Sequence, residues 1–102
     1  MAIAAPPLSL ADWRTEATRL FGPPALWRFC CPNCSTTFSV ADLKFAGAKD
    51  GSAGQECIGR HLKGRGCLYA AYGLIALPGL VAVQLDAATI LAFPFAAPGQ
   101  QD

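Results

Sequence analysis

The chemistry this chain can offer starts with sulfur. Three of its five cysteines lie inside the stretch RFCCPNCSTTF, at positions 30, 31 and 34; the other two are Cys57 and Cys67. Cys31-Pro32-Asn33-Cys34 has the spacing of a metal-binding knuckle. Two thiolates three positions apart on a tight turn can face one ion, at about 2.3 Å from each sulfur. Pro32 presets φ for such a turn, and Asn33 tolerates the strained position after it. A tetrahedral site needs two more ligands, and the strong donors left are Cys57, His61 and Cys67. The expected set is Cys31, Cys34, Cys57 and Cys67, because Gly64 and Gly66 let the loop before Cys67 fold back. His61 is the alternative ligand in place of one cysteine: Cys57 and His61 would share a face of one helical turn. Cys30 would point away from the ion if its strand continues, and reads as a small core residue.

Four protein ligands close a metal site and leave no position for a catalytic water, so the expected Zn2+ is structural. Its binding energy then becomes folding energy. Cys-Pro-Asn-Cys also resembles the Cys-Pro-x-Cys of thiol oxidoreductases. That chemistry needs a long helix directly after the motif, and STTFSV favours strand or turn instead. With one histidine and seven acids no triad or carboxylate pair can be nominated, and no enzyme activity is expected.

The elements that must position these cysteines can be read on either side of them. Ser9 with Asp12 predicts a helix start, and Leu10, Trp13, Ala17, Leu20 and Phe21 share one face. Gly22, Pro23 and Pro24 end that helix. Residues 26–30 read as a short strand entering the cysteine turn, and 36–38 can pair back against it. Ser39 and Asp42 predict a second, short helix with Val40, Leu43 and Ala46 inward, ending at Gly47. Residues 47–55 read as a flexible connection. After Pro78-Gly79 the pattern changes to period two: Val81, Val83 and Leu85 alternate with Ala82 and Gln84. Asp86-Ala87 can turn the chain so that 90–95 returns, with Pro94 limiting that strand to an edge or its end. These segments predict an α+β fold: a small zinc-ribbon-like antiparallel sheet of 27–30, 81–85 and 90–95 under an N-terminal amphipathic helix. The whole chain is expected to form one domain, 1–102, with a frayed tail at 96–102.

At 102 residues, 53% hydrophobic and 15% charged, the chain is no disordered segment. A net charge of +1 excludes binding driven by the whole-protein field; an electrostatic partner must meet a local patch. Arg60, Lys63 and Arg65 form the one candidate patch. The uncharged run at 68–85 raises a membrane question, but Gly73, Pro78 and Gly79 interrupt it and a buried core is expected. The N-terminus has no positively charged region before an apolar run, so a cytoplasmic location is expected.

The stretch ECIGRHLKGRGCLYAAYGLI after CPNC resembles the signature of a family of small phage and prophage proteins: a Cys-Pro-x-Cys knuckle, then Glu-Cys-x-Gly-Arg, then Gly-Cys. Ser35 stands where that family's knuckle has glycine, and Leu68-Tyr69 where it has Asp-Trp. The resemblance implies a mobile-element origin, a zinc-ribbon-like core and action in the host cytosol; it implies no reaction. The expected function is stoichiometric binding to a host protein, as an inhibitor of a defence system of the anti-CRISPR kind. The alternative is a nucleic-acid-binding zinc ribbon. Arg60, Lys63 and Arg65 are the expected partner-binding charges, with Trp13, Tyr69, Tyr72 and Phe95 as aromatic anchors. No membrane partner is expected, and the protein itself is expected to be a monomer or a small homo-oligomer.

Overall fold

The computed structural model describes residues 7–49, 54–72 and 76–97. The N-terminus, the middle of the 47–55 connection, residues 73–75 and the end of the tail lie outside them. Helix α1, Leu10–Phe21, begins where predicted: Ser9 Oγ accepts the Asp12 N–H at 3.0 Å. Gly22, at φ 84°, donates its N–H to the Thr18 carbonyl at 2.8 Å, and Pro23-Pro24 turns the chain away. The buried face of α1 is centred on Ala17 and Trp13. Trp13 stacks on Phe29 and Phe95 at centroid distances of 6.1 and 5.5 Å and meets Trp27 edge-on at 5.7 Å.

Strands β2, Arg28–Cys30, and β3, Thr37–Ser39, form an antiparallel hairpin around the first cysteine turn. Ser39 ends β3 and starts α2, Val40–Phe45, with a complete capping box: its Oγ accepts from Asp42 N–H at 3.0 Å, and Asp42 Oδ2 accepts from Ser39 N–H at 2.9 Å. Leu43 is the buried side chain of α2. Strands β4, Val81–Gln84, and β5, Thr89–Ala92, pair antiparallel across a turn at 85–88.

The fold is α+β as expected, but its strands divide differently. β2 was expected in one sheet with β4 and β5. Instead there are two sheets, β2-β3 and, with Leu8–Ser9 as β1, β1-β4-β5. Proline accounts for the separation: Pro94 has no N–H to donate, so regular pairing of β5 ends at Ala92 and Phe93 turns into the core. One bridge, Phe29 to Phe95, still joins the two sheets, flanked by Cys30 N–H to the Pro94 carbonyl at 2.9 Å and Ala96 N–H to the Arg28 carbonyl at 3.0 Å. The tail was expected to fray from 96, yet Ala96 is buried and bonded. The second difference is β1, Leu8–Ser9, which pairs parallel with β4 and makes that sheet mixed.

The 47–55 connection also ends inside the fold. Gly54 lies under the Phe29 ring and its carbonyl accepts the Phe93 N–H at 2.6 Å. Gln55 bonds Ala71 through its carbonyl at 2.7 Å and Leu91 through its side chain at 3.2 Å. Among the described residues no helix is long and apolar enough to cross a membrane.

Candidate metal centre

The hairpin turn delivers Cys31 and Cys34. Cys31 N–H donates to the Thr36 carbonyl at 3.0 Å, and Ser35 N–H donates to the Cys31 carbonyl at 2.8 Å. Closing that turn puts Ser35 at φ 64°, the one non-glycine residue with positive φ among those described. The other two sulfurs come from the loop between Glu56 and Ala70, which bridge each other while Cys57 N–H donates to the Tyr69 carbonyl at 3.1 Å. Inside this loop a single 3-10 turn, Ile58–Arg60, brings Gly59 against Cys67. A Cβ on Gly59 would lie 2.4 Å from the Cys67 backbone nitrogen, and one on Gly66 would lie 2.7 Å from Cys57 Sγ. Only backbone fits at these two places, which is the physical content of Cys-x-Gly and Gly-Cys in the sequence.

The four sulfurs of Cys31, Cys34, Cys57 and Cys67 all lie within 4.8 Å of one another. Cys31 to Cys67 and Cys34 to Cys57 are each 3.7 Å. A disulfide would need about 2.05 Å, and all four are free thiols. Zinc–sulfur bonds of about 2.3 Å give a tetrahedron with sulfur–sulfur edges of about 3.8 Å. The donor set is close enough to bind a metal ion, and the Cys31–Cys67 and Cys34–Cys57 edges match that figure.

The surroundings supply donors to the sulfurs. Cys67 N–H donates to Cys57 Sγ at 3.2 Å and Asn33 Nδ2 donates to Cys67 Sγ at 3.3 Å, while the Cys34 thiol itself donates to Thr36 Oγ1 at 3.3 Å. Burial pushes the Cys31 thiol far up, against hydrogen bonds from the Cys34 and Asn33 backbone. Burial likewise raises Cys57. At Cys34 burial also works upward, but the Thr36 hydroxyl and backbone N–H and the neighbouring thiols outweigh it and hold the group at about 7. The cluster thus has one thiol poised to ionise beside two that stay protonated until a cation compensates them.

His61, the alternative ligand, is turned elsewhere: its Nε2 is 2.6 Å from Glu56 Oε1, and the Tyr72 hydroxyl donates to the other oxygen of Glu56. Cys30 Sγ points out of the cluster, 3.7 Å from the Ser35 carbonyl, as its strand position predicts. It is half-buried and outside the core cluster, not the small core residue expected. The basic residues divide. Arg60 donates to the Leu68 carbonyl at 2.8 Å with its guanidinium 5.9 Å over the Tyr72 ring. Arg65 donates to the Thr37 carbonyl at 2.8 Å and lies 3.6 Å from Asp42. Lys63 is exposed.

Of the aromatic anchors expected at an interface, Trp13 and Phe95 are instead stacked on each other, and Tyr69 is stacked on Phe93 at 5.9 Å. Only Tyr72 is exposed, at 56%. The residue that sequence reasoning missed is Phe45, 97% exposed at the last position of α2. With Asp42, Ala46, Ile58, Leu62 and Arg65 it lines a concavity of about 290 Å3. Nothing in its spacing marked it, since an apolar residue on a short helix is ordinarily read as core.

Two short β-sheets and two capped helices, stitched at one end by a four-cysteine cluster on glycine-shaped loops, define a small α+β domain with a candidate metal centre. The chain belongs to the VVA0879-like family, whose sequence profile matches residues 9–96. No curated protein and no solved structure matches it.

Proposed function

We propose that this is a zinc-stabilised scaffold that acts by stoichiometric binding to one host protein. An inhibitor of a defence system, of the anti-CRISPR kind, is the specific form suggested by the resemblance of CPNC and ECIGRHLKGRGC to phage proteins. Four cysteine ligands would saturate Zn2+ and leave no site for substrate or water, which supports a structural ion. Free thiols in this number suit a reducing, cytosolic compartment. The observation that carries the binding role is the exposed apolar surface around the cysteine loop: Phe45, Leu62, Leu68 and Tyr72 all face solvent, with Leu68 at 73%. Phe45 and Leu62 line one concavity, and Leu68 and Tyr72 both adjoin Arg60; exposed apolar side chains brought together in this way mark an interface.

The alternative nucleic-acid ribbon is weakened by where the charges go. Arg65 faces Asp42 and His61 faces Glu56, which leaves Arg60 and Lys63 as the loop's cations not matched to a carboxylate among the described contacts. Two phosphate contacts would support only weak, salt-sensitive binding. Purified protein should carry about one zinc per chain by elemental analysis, lost in Cys67→Ser and kept in His61→Ala. In host lysate it should form a one-to-one complex with a single protein, by affinity capture and light scattering. Tight nucleic-acid binding that persists in high salt, with no protein captured, would reverse the order of the two readings.

A further inference from the structure

We propose that the concavity between α2 and residues 58–65 is the docking site, and that its occupant is an acidic protein segment carrying an apolar anchor. This rests on the protein-binding reading above and names the chemistry of the partner. The floor of the concavity is aliphatic: Ala46, Ile58 and Leu62, with the Phe45 ring standing beside it. Such a hole takes a branched or aromatic side chain and excludes water around it.

The rim decides the sign of the partner. Asp42 is the one carboxylate among the lining residues. It already accepts the Ser39 N–H and faces two guanidiniums, Arg28 at 4.0 Å and Arg65 at 3.6 Å. Both guanidiniums are held in place, Arg28 by Thr37 Oγ1 at 3.2 Å and Arg65 by the Thr37 carbonyl. Exposed Lys44 and Lys63 adjoin Phe45 and Leu62 in the chain. Two guanidiniums thus face the one carboxylate of the concavity, a local positive excess in a chain whose net charge is only +1. A second copy of this chain would bring the same cations to the same place across a two-fold axis and be repelled. Nucleic acid would satisfy the charge, but a concave aliphatic floor offers no flat platform for stacked bases. Carboxylates flanking one apolar side chain satisfy both features, and pre-positioned guanidiniums suit them.

The test titrates zinc-loaded, isotope-labelled protein with four probes and follows backbone resonances. They are the peptide Glu-Asp-Glu-Leu-Phe-Glu-Asp-Glu, the same peptide with lysine for each acid, the same acids around Ser-Ser, and a short oligothymidine. The first should shift Phe45, Ile58 and Leu62 in a salt-sensitive way, and the second and third should not. Phe45→Ser and Lys63→Glu, both at exposed positions, should each weaken the first peptide, the aromatic change by about tenfold or more. Equal response to the lysine peptide, stronger binding of oligothymidine at the same residues, or self-association through them would each overturn the proposal. The protein-binding reading is judged separately. A one-to-one complex from host lysate that Phe45→Ser/Lys63→Glu leaves intact overturns the docking site alone, whereas the lack of any complex overturns the protein-binding reading and leaves the groove to the peptide titration.

Discussion

Ser35 holds φ at 64° because the first cysteine turn must close in so few residues. A side chain in that region costs roughly 1–2 kcal/mol, and glycine removes the strain while losing some of the gain to its freer unfolded chain. Ser35→Gly should therefore stabilise the zinc-loaded protein by about 0.5–1 kcal/mol, seen as a higher denaturant midpoint at unchanged slope. A lower midpoint would show that the serine hydroxyl makes a contact worth more than the strain. Glycine has the opposite weight in the second loop. Gly66→Ala would place a methyl 2.7 Å from Cys57 Sγ, against a backbone that cannot give way. That variant should lose metal and fold poorly. Gly64→Ala is the control: its φ is 84° but nothing lies within 4 Å of the added carbon. It should lose about 1 kcal/mol to backbone strain and keep its metal. If both alanine variants bind metal equally, close packing at Gly66 is not what shapes the site.

At the scale of elements, α2 is six residues long and too short to hold itself, so its capping box matters more than in a long helix. Ser39→Ala should cost about 1 kcal/mol. Asp42→Ala should cost more, because Asp42 closes the same box and also faces Arg28 and Arg65. Through Arg65, which reaches Thr37 from the cysteine loop, the Asp42 change should also weaken metal retention, and the Ser39 change should not. Chelator competition on the two variants separates these effects; equal loss of affinity would mean that α2 stability, not the Arg65 contact, is what the loop depends on. These caps were legible because Ser-x-x-Asp before an apolar residue has few other uses. The gathering of Cys31, Cys34, Cys57 and Cys67 was legible for a related reason: thiols are scarce, and glycines beside Cys67 can only mean a tight loop. The division of the strands was not. It depends on which partner Phe29 meets after Pro94 stops regular pairing, a long-range choice that period-two patterning does not encode. The parallel pairing of Leu8–Ser9 with β4 is equally non-local and only two residues long. Phe45 had no place in that pattern: the inward positions of α2 fall on Val40, Leu43 and Ala46, and periodicity does not say that the remaining apolar ring stands in solvent.

Across the whole molecule, one end has a continuous aromatic core and the other has sulfur. Trp13, Phe29 and Phe95 fasten α1 to the strands, while the 56–70 loop meets the β2-β3 hairpin at the four thiols and through Arg65, with Ile58 buried in the shared core. Zinc in a four-cysteine site contributes apparent binding energies of roughly 10–16 kcal/mol near neutral pH, comparable with the whole stability of an ordinary domain. Its removal should therefore unfold the cysteine end and, in so small a core, the rest with it. The pH dependence has a definite sign. Burial raises Cys31 and Cys57, so in the metal-free protein both sulfurs hold protons at neutral pH, and zinc must displace them. Zinc uptake near pH 7 should release protons from at least these two groups, and stability derived from the metal should fall as pH falls. In the metal-free fold the thiols divide: Cys31 and Cys57, raised by folding, hold their protons in both states at and below neutral pH and give no slope there, whereas Cys34, held at about 7, favours the native state above that value and loses the contribution as pH falls through it. Melting followed by circular dichroism at pH 7.5 and pH 5 on loaded and on chelated protein, with zinc release read by a colorimetric chelator, separates the metal's share from that of Cys34. The expected result is a lower melting temperature at pH 5 together with released zinc. Equal melting at both values with zinc fully retained would show that protons do not compete for these sulfurs. Unchanged melting after chelation at pH 7.5 would show that the aromatic end holds the fold without the metal.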